Sequence, residues 1–176
     1  MRTGRISSPA AALLLVALGW LTPLAGLASA NPESLLRAFV GEWHGELIVQ
    51  SVDGGEQQVL QVRQRYWWDT IGLRGEAIYG HGERQFKASS LATVMDDRII
   101  SEIERDGKKN LLRGLPMERG ILWLPLDSTT EPTMQLREFL ERDEKGQWRI
   151  RISGHEVRSG QLQSRRYLIR GSLQQQ

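Results

Sequence analysis

The chain of 176 residues contains no cysteine. This absence excludes a disulfide framework, thiolate ligands for a metal ion, and a thiol nucleophile. It also excludes the cysteine through which a bacterial lipoprotein carries its lipid. Long apolar runs are scarce as well. The longest lies between Pro9 and Leu21, and it is shorter than the roughly 20 residues that span a bilayer.

The first thirty residues have the features of a secretory signal peptide. Two arginines precede the apolar run and a helix-breaking proline follows it, ahead of the small residues Ala28-Ser29-Ala30. A basic N-terminal region, an apolar central region and a cleavage site of small residues are together typical of a cleaved signal peptide. We therefore expect residues 1–30 to be a signal peptide cleaved near Ala30, with delivery to the periplasm or the exterior. Residues 31–176 then form one domain without a transmembrane segment.

The net charge of the chain comes from this leader. Arg2 and Arg5 are its only charged residues, so 23 basic and 21 acidic residues in the whole chain become 21 of each. A neutral exported domain is not the expected form of a nucleic-acid-binding protein. The later part of the chain is nevertheless rich in arginine, which predicts either a solvated face or a basic strip that meets an anionic partner. The residues of that strip are Arg149, Arg151, Arg158, Arg165, Arg166 and Arg170.

A short helix is predicted at the start of the domain. Asn31 is a preferred N-cap residue, and Pro32 suits the first helical position. Leu35, Leu36 and Phe39 follow at helical spacing. We expect the helix to end at the following glycine, Gly41.

After this helix the hydrophobic pattern changes to a period of two. Leu60 and Val62 alternate with polar residues, as do Ile150 and Ile152, which is typical of strands with one buried face. Turn-forming pairs such as Asp106-Gly107 separate the segments. We count about ten strands with no helix long enough for a crossover. The sequence therefore predicts an all-β fold, an antiparallel up-and-down β-barrel with a short N-terminal helix.

The start of the first strand carries the pattern Gly41-x-Trp43-x-Gly45. The order of a short helix, this pattern and then only strands resembles that of the calycin-like barrels. These include lipocalins, fatty-acid-binding proteins and nitrobindin-like haem barrels. The number of strands is closest to uncharacterised bacterial secreted members. The resemblance implies that Gly41 and Trp43 form a plug at one end, with a last-strand arginine stacked over the indole. Arg165, Arg166 and Arg170 are the candidates, and we expect Arg166.

Nitrobindin-like barrels hold haem iron through a histidine near the last strand, and that strand has none here. His155 comes shortly before it, but alternation places it on the outer face unless a bulge at Gly154 turns it inward. The chain's other histidines, His44 and His81, lie on separate segments without the spacing of metal ligands. No nucleophile motif is present either. The sequence therefore predicts no metal, no cofactor and no catalytic residues, and an enzyme has no motif to support it.

Polar and aromatic residues interrupt faces that should be buried. If these faces line the barrel, its interior is amphipathic and suits a small, partly apolar ligand. The alternative is a packed barrel that works as a non-enzymatic envelope interaction module through its outer basic and aromatic face, where Trp67 or Trp68 would be exposed. The candidate ligand-binding residues are Gln64, Tyr66, Trp68, Tyr79, Trp123 and Glu138.

Overall fold

A computed structural model describes residues 31–53, 55–81, 84–127, 133–159 and 164–176, without the side chains of His81 and Ser159. The segment predicted to be a signal peptide, residues 1–30, lies outside the described residues. No helix among the described residues is long and apolar enough to cross a membrane.

The elements follow one another in a simple order, with one helix and ten strands. Helix α1 spans Pro32–Arg37. The strands are β1 Gly41–Ser51, β2 Gln57–Trp68, β3 Leu73–His81, β4 Arg84–Met95, β5 Arg98–Arg105, β6 Lys108–Met117, β7 Gly120–Pro125, β8 Met134–Arg142, β9 Trp148–Ser159 and β10 Ser164–Gln175.

The ten strands form a closed barrel in which each strand pairs with its neighbours in sequence and β10 pairs with β1. All of these pairs are antiparallel. The prediction of an up-and-down all-β barrel of about ten strands is confirmed. Closure leaves no unpaired sheet edge, and it turns the alternation along every strand into an inner and an outer face.

Helix α1 covers one end of the barrel, which we call the lower end. Asn31 caps the helix as predicted, because its side chain accepts hydrogen bonds from the backbone N–H groups of Glu33 and Ser34. The predicted apolar face is also confirmed, since Leu35 and Leu36 are buried in the core. The expected end at Gly41 is wrong: the helix ends at Arg37, and Gly41 begins β1.

Trp43 lies at the centre of the lower end and is 1% exposed. Its indole N–H donates a hydrogen bond of 2.8 Å to the carbonyl of Phe39, so the strand is tied to the segment after the helix. Gly41 has a φ of 145°, a backbone conformation that favours glycine. These two residues therefore occupy the plug end that the resemblance implied.

Arg166 does not share that position, which corrects the third member of the expected plug. The residue opposite Trp43 in β10 is Gln175, whereas Arg166 pairs with Val157 near the other end of the strand. Nine residues of extended chain separate Arg166 from Gln175, about 30 Å. Arg166 also belongs to the outward-facing set of β10, so its side chain cannot stack on the indole from inside.

The core is concentrated above the helix. Its most completely buried large side chains are contributed by the helix region and by strands from all sides of the barrel. They are Trp43, Phe39, Leu36, Ile99, Ile121, Ile150 and Leu173. The lower half of the barrel is therefore its most densely packed part.

Replacing the plug residue should strongly destabilise the fold. We expect Trp43→Ala to lower the free energy of unfolding by about 3–5 kcal/mol, because it removes a large buried ring and leaves a cavity. The matched control is Trp148→Ala, where the indole is 38% exposed. Urea denaturation measures both. An equal decrease in the free energy of unfolding in the two variants would contradict the role of Trp43 as the plug of the barrel.

Candidate functional site

The barrel interior receives all six side chains that the sequence predicted to bind a ligand. Gln64, Tyr66 and Trp68 alternate with the outward-facing arginines of β2, and Trp43 lies opposite Gln64. Tyr79 lies higher on β3, opposite Val62. Trp68 is separate from the rest, since it lies at the lower end with the guanidinium of Arg37 3.8 Å from its ring centre.

The other two predicted residues are joined by a hydrogen bond. Trp123 on β7 donates from its indole nitrogen to a carboxylate oxygen of Glu138 on β8, at 2.8 Å. Both residues are 8% exposed.

Tyr66 connects this pair to the plug. Its ring packs edge-on against Phe39 with 6.2 Å between ring centres, and its hydroxyl accepts a hydrogen bond from the amide of Gln64. We call Gln64, Tyr66, Trp123 and Glu138 the polar floor. It is a layer of hydrogen-bonding groups that borders the apolar plug, since Gln64 pairs with Trp43 and Tyr66 with Gly41.

The electrostatics of the polar floor favour neutral side chains. Burial raises the pKa of Glu138, and the hydrogen bond from Trp123 opposes this only in part. Burial also raises the pKa of Tyr66 well above its ordinary value, and the nearby charge of Glu138 raises it further. A buried carboxyl that holds its proton can donate as well as accept a hydrogen bond. The polar floor is thus suited to polar atoms of a neutral group.

Several inward-facing residues beside the polar floor are only partly buried. Gln64 and Tyr66 lie deep in the barrel, yet each keeps a part of its surface accessible. The inward-facing residues Ala77, Ala88 and Ser90 on the adjacent strands β3 and β4 are also only partly buried. Ala77 pairs with Gln64, and Gly75 between Tyr66 and Ser90 leaves space that the ring of Tyr66 occupies, since a Cβ atom there would lie 2.7 Å from it.

The upper half of the barrel is lined mainly by apolar side chains. Ile103, Met134, Leu136 and Ile169 point inward from three different strands and are partly buried against the core. Near the rim, Tyr79 stacks on Phe86 with 5.9 Å between ring centres. A cup with apolar walls and a polar floor results.

Charged residues surround the opening of this cup. Arg158 forms an ion pair of 2.8 Å with Glu156, and its guanidinium lies 4.7 Å from the ring centre of Tyr167. Across the opening on β5, Arg105 donates a long hydrogen bond of 3.5 Å to the hydroxyl of Tyr79. That bond is the main cause of the raised pKa of Arg105, and the charge of Glu156 contributes to it.

A recess of about 230 Å³ lies at this rim. Ser51, Arg165 and Tyr167 face it from the inner side of β1 and β10, and Asp53 and Glu56 face it from the turn between β1 and β2. The arginine strip that the sequence predicted is therefore divided by the wall. Two of its six members, Arg158 and Arg165, belong to the inner face at the opening.

The other four members lie on the outer wall, by the register of β9 and β10. Two of them share one carboxylate, because Glu141 binds Arg149 at 2.7 Å and Arg151 at 3.4 Å. Trp67 also lies outside, with the guanidinium of Arg65 5.6 Å from its ring centre. The outer wall thus carries aromatic and basic groups, as the alternative function required.

His155 faces outward as alternation predicted. Its register with Gln135 on one side and Leu168 on the other is continuous through Gly154, so no bulge turns it inward. Within the described part of the chain, its Nε2 atom is buried without a hydrogen-bond partner. Haem ligation from the barrel interior by His155 does not fit this orientation. The described residues contain no group of acidic and histidine side chains arranged to hold a metal ion.

Comparison of the chain with protein-family models, with curated proteins and with solved structures finds no match.

The buried carboxyl of Glu138 should make stability depend on pH. Because its pKa is raised in the folded state, folding favours the protonated form, and stability falls as pH rises from the unfolded value of about 4.3 through the folded pKa. We expect Glu138→Gln to have a higher free energy of unfolding than the native chain, and we expect this difference to grow as pH rises over this range.

Urea denaturation at a series of pH values measures the difference. The control is Glu118→Gln, which changes the same side chain where it is 89% exposed and where burial has no part in its effect. A difference between Glu138→Gln and the native chain that stays constant with pH would contradict burial of the carboxyl.

Proposed function

We propose that this protein is an exported barrel that binds one small hydrophobic or amphipathic molecule in its interior. The observation that carries the proposal is that inward-facing side chains of the closed barrel, among them Ile103, Leu136 and Ile169, are only partly buried. In a closed sheet, such surface faces a lumen. A barrel of eight strands has an interior that side chains can just fill, or that holds one small ligand, and the diameter grows with strand number. Ten strands therefore favour an interior with space.

The chemistry of the cup supports an amphipathic ligand. Its walls carry branched aliphatic and thioether side chains, among them Ile103, Leu136 and Met134, which favour an apolar body. At the bottom, the polar floor offers both donors and acceptors through Tyr66 and Glu138. A ligand with an apolar body and one neutral polar end would satisfy both surfaces, with its polar end directed down.

The fold and the plug support a calycin-like assignment as part of the same proposal. Gly41 and Trp43 occupy the end of the barrel beside the N-terminal helix, as the resemblance implies. Export rests on the sequence of residues 1–30 alone, and the site of action we propose is the periplasm or the exterior.

Blocking the cup should abolish binding of an apolar probe. We choose N-phenylnaphthylamine, a neutral dye whose fluorescence rises in apolar surroundings. Ser90→Phe puts a ring on the inner face of β4, whereas Ser89→Phe puts the same ring on the exposed outer face one residue earlier. We expect the native chain and Ser89→Phe to bind the dye, and Ser90→Phe to bind at least tenfold more weakly.

Circular dichroism establishes that each variant is folded. If Ser90→Phe fails to fold, Ala88→Phe places the ring closer to the opening on the same inner face. Native mass spectrometry of protein purified from exported material should show an additional small mass that Ser90→Phe lacks. A native chain that binds no dye and retains no mass would overturn the proposal in favour of a packed barrel.

A further inference from the structure

The outer wall of β8, β9 and β10 carries a recess of about 410 Å³. Three arginines face it, one from each strand: Arg137, Arg151 and Arg170. Ser153 and Phe139 are also part of its lining, and no acidic residue is. We call these five residues the arginine recess. It is separate from the cup, because its charged members are on the outward-facing side of the same wall.

The strand register explains how the three arginines come to surround Ser153. Arg137 lies directly opposite Ser153 on one side, and Arg170 lies opposite it on the other. Neighbouring strands are about 4.8 Å apart, so the two arginine Cα atoms are about 10 Å apart. Arg151 is two residues before Ser153 on the same face. A short serine thus sits between three long cationic side chains, which leaves a recess at its hydroxyl.

The positive charge of the arginine recess is not balanced by its neighbours. The carboxylate bonded to a member is Glu141, which binds Arg151 at 3.4 Å but holds Arg149 more closely at 2.7 Å. Arg170 donates to the neutral amide oxygen of Gln50, at 3.4 Å. Among the described residues, the three arginines that surround Ser153 in the register therefore have one carboxylate partner, which is shared with Arg149.

We propose that the arginine recess binds the phosphate group of a phosphomonoester. Guanidinium forks match phosphate oxygens in pairs, and a phosphomonoester carries close to two negative charges at neutral pH. The hydroxyl of Ser153 supplies a further donor at the base. Phe139 forms an apolar wall on one side, which suits the organic part of such a ligand. The volume accommodates a headgroup or a small phosphorylated molecule rather than a polypeptide.

Isothermal titration calorimetry with inorganic phosphate at low ionic strength tests the recess directly. We expect binding by the native chain and a roughly threefold to tenfold weaker affinity for each of Arg137→Gln and Arg170→Gln. Ser153→Glu should abolish binding, because it places a carboxylate among the three cations. The matched control is Arg113→Gln, an exposed arginine on the outer face of β6, which should leave the affinity unchanged.

A second arm distinguishes the source of the phosphate group. Vesicles of phosphatidylcholine with and without phosphatidic acid are sedimented with the native chain and with Ser153→Glu. Retention on phosphatidic acid that Ser153→Glu loses supports a lipid headgroup, and phosphate binding without vesicle binding supports a soluble phosphorylated molecule.

Two results would overturn the proposal. One is that the native chain binds neither inorganic phosphate nor phosphatidic acid vesicles. The other is that Arg113→Gln weakens binding as much as Arg137→Gln, since this would indicate diffuse charge attraction instead of a site. Dye binding in the cup does not enter either result, so the two proposals fail independently.

Discussion

The pairing of the first strand with the last is the constraint on which the rest of the structure depends. Nine residues of β1 lie in register with β10, and this seam closes the sheet. The approach is close at Gly45, where a Cβ atom would lie 2.0 Å from the backbone carbonyl oxygen of Ser172. No other residue fits there without movement of the backbone. Closure of the barrel therefore explains why the second glycine of the Gly41-x-Trp43-x-Gly45 pattern is a glycine.

Closure also determines where the stabilising contacts lie. The plug of Trp43, Phe39 and the helix fills the lower end, and the side chains around it are almost completely inaccessible. Higher in the barrel the burial is mixed, since Val49 and Ser51 are buried whereas Ile103 and Ile169 are partly accessible. The hydrophobic contribution to stability, which scales with apolar area removed from water, is thus largest around the plug.

The polar floor marks the boundary between these two halves. A carboxyl placed among apolar residues costs free energy unless it is hydrogen-bonded or holds its proton. Glu138 has one partner in Trp123 and a raised pKa. Tyr66 likewise has Gln64 as a partner. These side chains are satisfied locally, and Gln64 and Tyr66 are only partly buried.

Alternation within each strand was sufficient to predict the fold and the inner face. Gln64 and Glu138 were assigned inward from their apolar neighbours alone, and both lie there. What the sequence could not supply was register between strands. Arg166 was chosen without knowledge of which residue faces Trp43, and the pairing with Gln175 decides otherwise. The helix end was missed for a related reason, because Gly41 is needed by the strand that follows.

The arginine recess was missed on the same physical ground. Arg137, Ser153 and Arg170 belong to three strands and are far apart in the chain, so no local pattern joins them. Only the two registers of β9, with β8 and with β10, bring them to one row. The six arginines of the predicted basic strip also do not share one face, because alternation places Arg158 on the inner face and Arg170 on the outer one.

Strand β9 links the two proposed sites through its register. Its inner face contributes Ile152 to the core, and its outer face contributes Arg151 and Ser153 to the arginine recess. A slip of one residue would exchange these faces, burying two arginines and exposing two isoleucines. Such a slip is opposed by the core on one side and by the ion pairs of Glu141 on the other. The packing of the inner face of β9 therefore also holds the outer arginines in place.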